Sequence, residues 1–187
     1  VIIIDALSIV KHILGVNPIW PFVCFDEVAP MARRTLSAQQ LDAFMSSVST
    51  STRSLDLSGN PGVLADMKMA SWHHVEHLEE MRISGCEVNA KQLDELMLAV
   101  PTSMKRLDLS KNPRLLSGLD MPSWHHVEHL EEMRISGCEV NAKQLNELMF
   151  AVPTSMKRLD LSQNPRLLSG LDMPSWHHVE HLEEMKR

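Results

Sequence analysis

Leu78-Glu-Glu-Met81-Arg-Ile83-Ser-Gly-Cys86 and, 26 residues later, Met104-Lys-Arg-Leu107-Asp-Leu109-Ser-Lys-Asn112 spell one pattern twice. Each reads apolar-x-x-apolar-x-apolar-x-x and closes on Cys or Asn. The pattern recurs at Leu130–Cys138 and Met156–Asn164, has an earlier member at Thr52–Asn60, and is cut off at Leu182–Arg187. Ser71–Pro122 and Ser123–Pro174 differ at three positions, Asp94/Asn146, Leu98/Phe150 and Lys111/Gln163. The larger unit is therefore 52 residues long and holds two unlike halves. Self-similarity at a fixed period marks a repeat architecture. Apolar residues alternate within each stretch, which predicts a short strand with one buried face. A regular period then sets equivalent residues side by side in a parallel sheet, about 4.8 Å apart.

The two halves part after the strand. One continues Asn89-Ala-Lys-Gln-Leu93-Asp-Glu-Leu96-Met97-Leu-Ala-Val100-Pro101. Leu93, Leu96, Met97 and Val100 fall on one helical face. Asn89 and Gln92 have capping-box spacing, and Pro101 ends the helix. Ser37 and Gln40 repeat that box ahead of Leu41, Phe44, Met45 and Val48. The other half, Asn112-Pro-Arg-Leu-Leu-Ser-Gly-Leu-Asp-Met-Pro122-Ser123-Trp124, carries Pro and Gly that exclude a long helix. Helices should thus alternate with looser segments. No unit buries its apolar face alone; stacking makes the core continuous.

The pattern resembles the leucine-rich-repeat family, whose signature is Leu-x-x-Leu-x-Leu-x-x-Asn/Cys, over about residues 37–187. The helical halves look closest to its ribonuclease-inhibitor-like and cysteine-containing subtypes. The resemblance implies an α/β solenoid: a curved parallel sheet on the concave side, helices and loops on the convex side. It also implies that Cys86, Cys138, Asn60, Asn112 and Asn164 hydrogen-bond the turn after each strand. Its usual role, protein binding without catalysis, is the function expected here. Residues 1–36 do not repeat cleanly. They are read as an N-terminal cap, with an amphipathic helix over Val1–Gly15 and a degenerate first strand within Asp26–Leu36. Residues 37–187 form the array, which stops inside a signature at its C-terminal end.

Between the inward apolar positions stand the residues of the concave face. Arg53, Glu79, Glu80, Arg82, Lys105, Arg106, Asp108, Glu131, Glu132, Arg134, Lys157, Arg158 and Asp160 are the candidate binding residues. In register they make three rows of alternating sign, Glu79–Lys105–Glu131–Lys157–Glu183, Glu80–Arg106–Glu132–Arg158–Glu184 and Arg82–Asp108–Arg134–Asp160. Opposite charges across parallel strands favour that register. The rows are either self-satisfied ion-pair ladders or a near-neutral recognition surface. Neither carries the single-sign field that nucleic acid requires.

Composition narrows the field further. The net charge of −6 and pI near 5.9 give no general attraction to nucleic acid or anionic membrane. With Met at 13 and Tyr at 0, the core must be built from Leu, Met, Val and Ile. Cys24, Cys86 and Cys138 are too few for a disulfide framework and fit reduced thiols in the cytoplasm. The apolar start lacks a basic leader and is interrupted by Asp5, Lys11 and His12, unlike a signal peptide or a membrane span.

One motif points elsewhere. His73-His74-Val75-Glu76-His77 matches His-x-x-Glu-His, the inverted zinc-protease pattern. It recurs at His125–His129 and His177–His181. A catalytic site seldom needs three copies at a structural period, and the segment runs straight into a strand. We therefore expect no catalytic residue, metal or cofactor, and a protein partner. Self-association through the C-terminal repeat edge, in a structural or engineered repeat protein, and zinc binding through the histidines are the alternatives. Trp72, Trp124 and Trp176 are expected to fill the core or cover the convex edge. Gly59, Gly85 and Gly137 are expected in turns.

Overall fold

The computed structural model describes residues 2–3, 48–65, 75–118, 124, 127–168 and 182–186. Within them the signatures form strands where the alternation puts them: β2 Ser54–Asp56, β3 Glu80–Arg82, β4 Arg106–Asp108, β5 Glu132–Arg134, β6 Arg158–Asp160 and β7 Glu184–Lys186. With β1, Ile2–Ile3, they make one seven-stranded parallel sheet in sequential order. The register follows the repeat. Met81 faces Leu55 and Leu107, and Leu159 faces Met133 and Met185, each step being 26 residues.

From β2 to β6 the apolar residue of each strand and the one just after it, such as Met81 and Ile83, are buried, and Met185 of β7 is partly buried. Also buried are the signature's first residue, Leu78, and its last residue, Cys86 or Asn112. Among the described residues two helices lie in the connections of one kind, α1 Ala90–Ala99 and α2 Ala142–Ala151. Each starts with a complete capping box, Asn89 with Gln92 and Asn141 with Gln144. Leu93, Leu96 and Met97 of α1 join the same buried cluster as the strands. The helices therefore cover the sheet's apolar face. The other kind of connection carries turns over 113–118, and a 3-10 helix, η1, at Pro165–Leu168. This is the α/β architecture of a leucine-rich-repeat solenoid.

The Asn/Cys position locks neighbouring turns together. The side-chain amide of Asn112 donates to Leu109 O (2.7 Å) in its own turn and to Ile83 O (2.9 Å) in the preceding one. Its Oδ1 accepts from Cys86 N and Val88 N, both at 3.0 Å. Asn164 repeats all four contacts one unit further on. Cys86 Sγ reaches back to Leu57 O at 3.1 Å and Cys138 Sγ to Leu109 O at 3.3 Å. Buried carbonyls and amides that the short strands cannot pair are satisfied in this way.

The start of the chain departs from expectation. Ile2 and Ile3 are extended and pair with Leu55 and Asp56. A run of β-branched isoleucines favours strand over helix. The strand flanking β2 thus comes from the chain's start, and the expected strand within Asp26–Leu36 lies outside the described residues. Residues 4–47, including Ser37, Gln40 and Cys24, lie outside the described residues.

Candidate functional site

The outer face of the sheet carries the charged positions, and the parallel register brings the expected rows together. Glu80 stands beside Arg106, Arg106 beside Glu132, and Glu132 beside Arg158; Arg82, Asp108, Arg134 and Asp160 follow in the same order. In the first row Glu79 accepts from both neighbours, Arg53 on the preceding repeat and Lys105 (3.2 Å) on the next. Glu131 pairs with Lys157 at 3.1 Å. In the second row Arg106 meets Glu80 at 3.1 Å and Arg158 meets Glu132 at 3.0 Å.

The third row does not close across strands. Arg82 turns to Glu80 on its own strand at 2.7 Å, and Arg134 turns to Glu132 at 2.6 Å. The reason is geometric: residues two apart on a strand share a face, and these carboxylates already sit low between the arginines. Asp108 and Asp160 accept instead from the amides of Ser110 and Ser162, at 3.0 and 2.9 Å. The ladders are also interrupted. Both oxygens of Glu132 are taken, one by Arg134 and one by Arg158, so Arg106 pairs only backwards. The face is thus built of blocks, β3 with β4 and β5 with β6, that repeat with the 52-residue unit.

Electrostatics follows that arrangement. Burial of Glu80 and Glu132 works to raise their carboxyl pKa; hydrogen bonds from Arg82 and Arg106, and from Arg134 and Arg158, outweigh it and leave both below the ordinary value. The hydrogen bond from Lys105 is the main cause holding Glu79 below its ordinary value. Arg134 is held above its ordinary value, first by the hydrogen bond to Glu132. These groups are fixed in their charged forms.

The buried thiols behave oppositely. Burial pushes Cys86 and Cys138 up to about 11, so neither is a thiolate nucleophile near neutral pH. Both are free, as expected. Trp124 is buried, while Trp72 and Trp176 lie outside the described residues. Of the histidine motif, Glu76, His77, Glu128 and His129 are described and exposed; His73, His74, His125, His126, His177, His178 and His181 are not described. Among the described residues no three His, Cys, Asp or Glu side chains gather as metal ligands, and no helix is long and apolar enough to cross a membrane.

Sequence reasoning missed two features. Lys111 and Gln163 have positive φ (58° and 60°) in the turns where Gly85 and Gly137 stand one repeat earlier. That glycine position was the available signal. Leu98 and Phe150, which also differ between the units, are exposed on the helices.

No protein-family model and no curated protein matches the sequence. Among solved structures, the chain is similar to the leucine-rich repeat-containing protein LegL7 from Legionella pneumophila, with 13% identity and a TM-score of 0.44. The match covers 80% of this chain, which spans 60% of that protein's length.

Proposed function

We propose that this chain is a non-catalytic, protein-binding repeat scaffold and that the outer sheet face is its recognition surface. One observation carries the reading: charged side chains held in fixed, repeating positions on a sheet face that no described element covers, above a continuous apolar core. Preorganised charges favour specificity and register more than raw affinity. The chemistry of the described residues supports the non-catalytic part. Their shifted carboxyls are held ionised by ion pairs and backbone amides, and their thiols are held protonated. Among the described residues, none of the groups with a shifted pKa is moved toward neutral pH.

The finer attributes belong to the same proposal. Alternating helical and looser halves with Cys at the ladder position support a ribonuclease-inhibitor-like or cysteine-containing subtype. Free buried thiols support a reducing, cytoplasmic setting. Residues 1–36 act as a cap on an array over 37–187, and Ile2–Ile3, pairing with β2, supports a covering role for the chain's start.

Selection of random peptides on the immobilised chain, followed by mapping of the binders, tests this. Binders should weaken when Arg106 and Arg158 are changed to Glu and be indifferent to Lys91→Glu with Lys143→Glu on the helices. Binders that respond only to the helix changes would remove the sheet face as the recognition surface.

A further inference from the structure

The charges on the sheet face are near balance in number and unequal in height. The Glu80 and Glu132 side chains are only 15% and 12% exposed, whereas Arg82, Arg106, Arg134 and Arg158 are 46–50% exposed. Each recessed carboxylate grips two guanidinium groups. Glu80 Oε1 takes Nε (2.9 Å) and Nη2 (2.7 Å) of Arg82, and Oε2 takes Nη2 of Arg106 at 3.1 Å. Glu132 repeats this with Arg134 and with Nε and Nη2 of Arg158 at 3.3 and 3.0 Å. A guanidinium has five N–H donors. At least three on each arginine remain for an incoming group, on a side chain whose rotamer entropy is already spent. In this row the acids lie below and the forks above, so a molecule laid over Arg82, Arg106, Arg134 and Arg158 meets guanidinium groups before Glu80 and Glu132, with the side chains of Glu131 (40% exposed) and Glu184 (50% exposed) standing beside them.

Two depressions lie among these forks. The first has Met81 and Leu107 at its floor and Arg82, Arg106 and Arg134 around it. The second, of about 180 Å³, has Leu159 at its floor beneath Arg134, Arg158 and Lys186, with the exposed Glu184 beside Lys186 (3.5 Å) on its rim. The two arginine pairs are two strands apart, roughly 9.6 Å. A polyproline-type extended chain brings residues i and i+3 to the same side about 9.3 Å apart. The half-buried carboxylates of Asp108 and Asp160 stand in the same depressions. They lower the local positive potential, so attraction is short-ranged and set by contact with the forks. That suits single carboxylates better than densely charged phosphates.

We infer that the sheet face receives an extended acidic peptide segment running across the strands, with carboxylates three residues apart docking on Arg82 with Arg106 and on Arg134 with Arg158. The inference rests on the proposed role of the sheet as the recognition surface and names the chemistry of its partner.

The test uses a labelled peptide of four Glu-Pro-Ala triplets, its Lys-Pro-Ala counterpart, and a peptide of the same acidic composition with its glutamates contiguous. Anisotropy titrations use the full chain in about 50 mM salt, where surface charges are little screened. The triplet acidic peptide should bind more tightly than the other two. Arg106→Gln with Arg158→Gln should weaken it about tenfold or more, since each lost fork removes a charge-assisted pair. Arg106→Lys with Arg158→Lys should weaken it less. Lys91→Gln with Lys143→Gln removes the same charge from the helices and should change binding less than about twofold. Equal or tighter binding of the basic peptide overturns the inference, and so does acidic binding that survives loss of both arginines. The random-peptide selection separates the two failures. Neutral or basic binders that map to Arg106 and Arg158 end the acidic-partner inference alone; binders that map to the helices end both.

Discussion

Five turns that follow the strands share one backbone shape and are filled by two kinds of residue. Gly59, Gly85 and Gly137 take φ of 65–73° without strain, while Lys111 and Gln163 take 58° and 60° with a Cβ. A non-glycine residue in that region costs roughly 1–3 kcal/mol. Lys111→Gly and Gln163→Gly should each stabilise the fold, by about 1 kcal/mol after the greater entropy of the unfolded glycine chain is subtracted. Urea midpoints of the single variants check this; a loss of stability would mean that the side chain's contacts outweigh the strain. Asn112 is the opposite case. Its amide serves two turns at once, so Asn112→Ala strands the amides of Cys86 and Val88 and the carbonyl of Ile83, and leaves Leu109 O with the Cys138 thiol alone. At about 1–3 kcal/mol per orphaned buried group, a loss of at least about 3 kcal/mol is expected in chemical unfolding. The ladder role of Asn112 was legible because the signature names the position. The αL residues were not, because Lys and Gln do not advertise positive φ as Gly does.

Elements owe their limits to a few side chains. α1 and α2 begin where Asn89 and Asn141 accept from Gln92 N and Gln144 N at 3.0 Å, and the reciprocal bonds to the cap amides are also 3.0 Å. Asn89→Ala and Asn141→Ala should each cost about 1 kcal/mol, measured by thermal or urea unfolding. An unchanged midpoint would show that packing of Leu93 and Leu96 alone holds the helix start. The strands carry an acid sensitivity. Glu80 and Glu132 have folded-state pKa values below the ordinary 4.5, so their stabilisation is full above that value and is lost as pH falls through the folded value. The unfolding midpoint should therefore drop below about pH 4.5, and Glu80→Gln with Glu132→Gln should flatten that drop. Both helices and the cross-strand pairs of the first two charge rows were legible from spacing alone. The behaviour of Arg82 and Arg134 was not. Register says which residues are neighbours, whereas side-chain length and carboxylate depth decide which neighbour is gripped. Ile2–Ile3 escaped for another reason: a strand of two residues leaves too little period to read.

At the scale of the whole molecule, one rule underlies the rest: each 26 residues advance the chain by one strand. It makes the core continuous, stacks the Asn/Cys ladder, and lines up the charges on the outer face. The same rule makes the two near-identical units present the same fork-bearing block twice. Fold and ladder could be inferred from repetition because repetition is what builds them. The height difference between glutamates and arginines could not, since it arises only when rotamers settle against neighbours.

The stacking rule itself is open to a direct distance measurement. Spin labels at Arg53→Cys and Lys157→Cys, with Cys24 changed to Ser, sit on exposed or half-exposed positions of one row, four repeats apart. Double electron–electron resonance should give a distribution centred near 20 Å, four strand spacings of about 4.8 Å. A broad distribution, or one centred well beyond about 30 Å, would contradict one strand per 26 residues and with it the surface on which the proposed function stands.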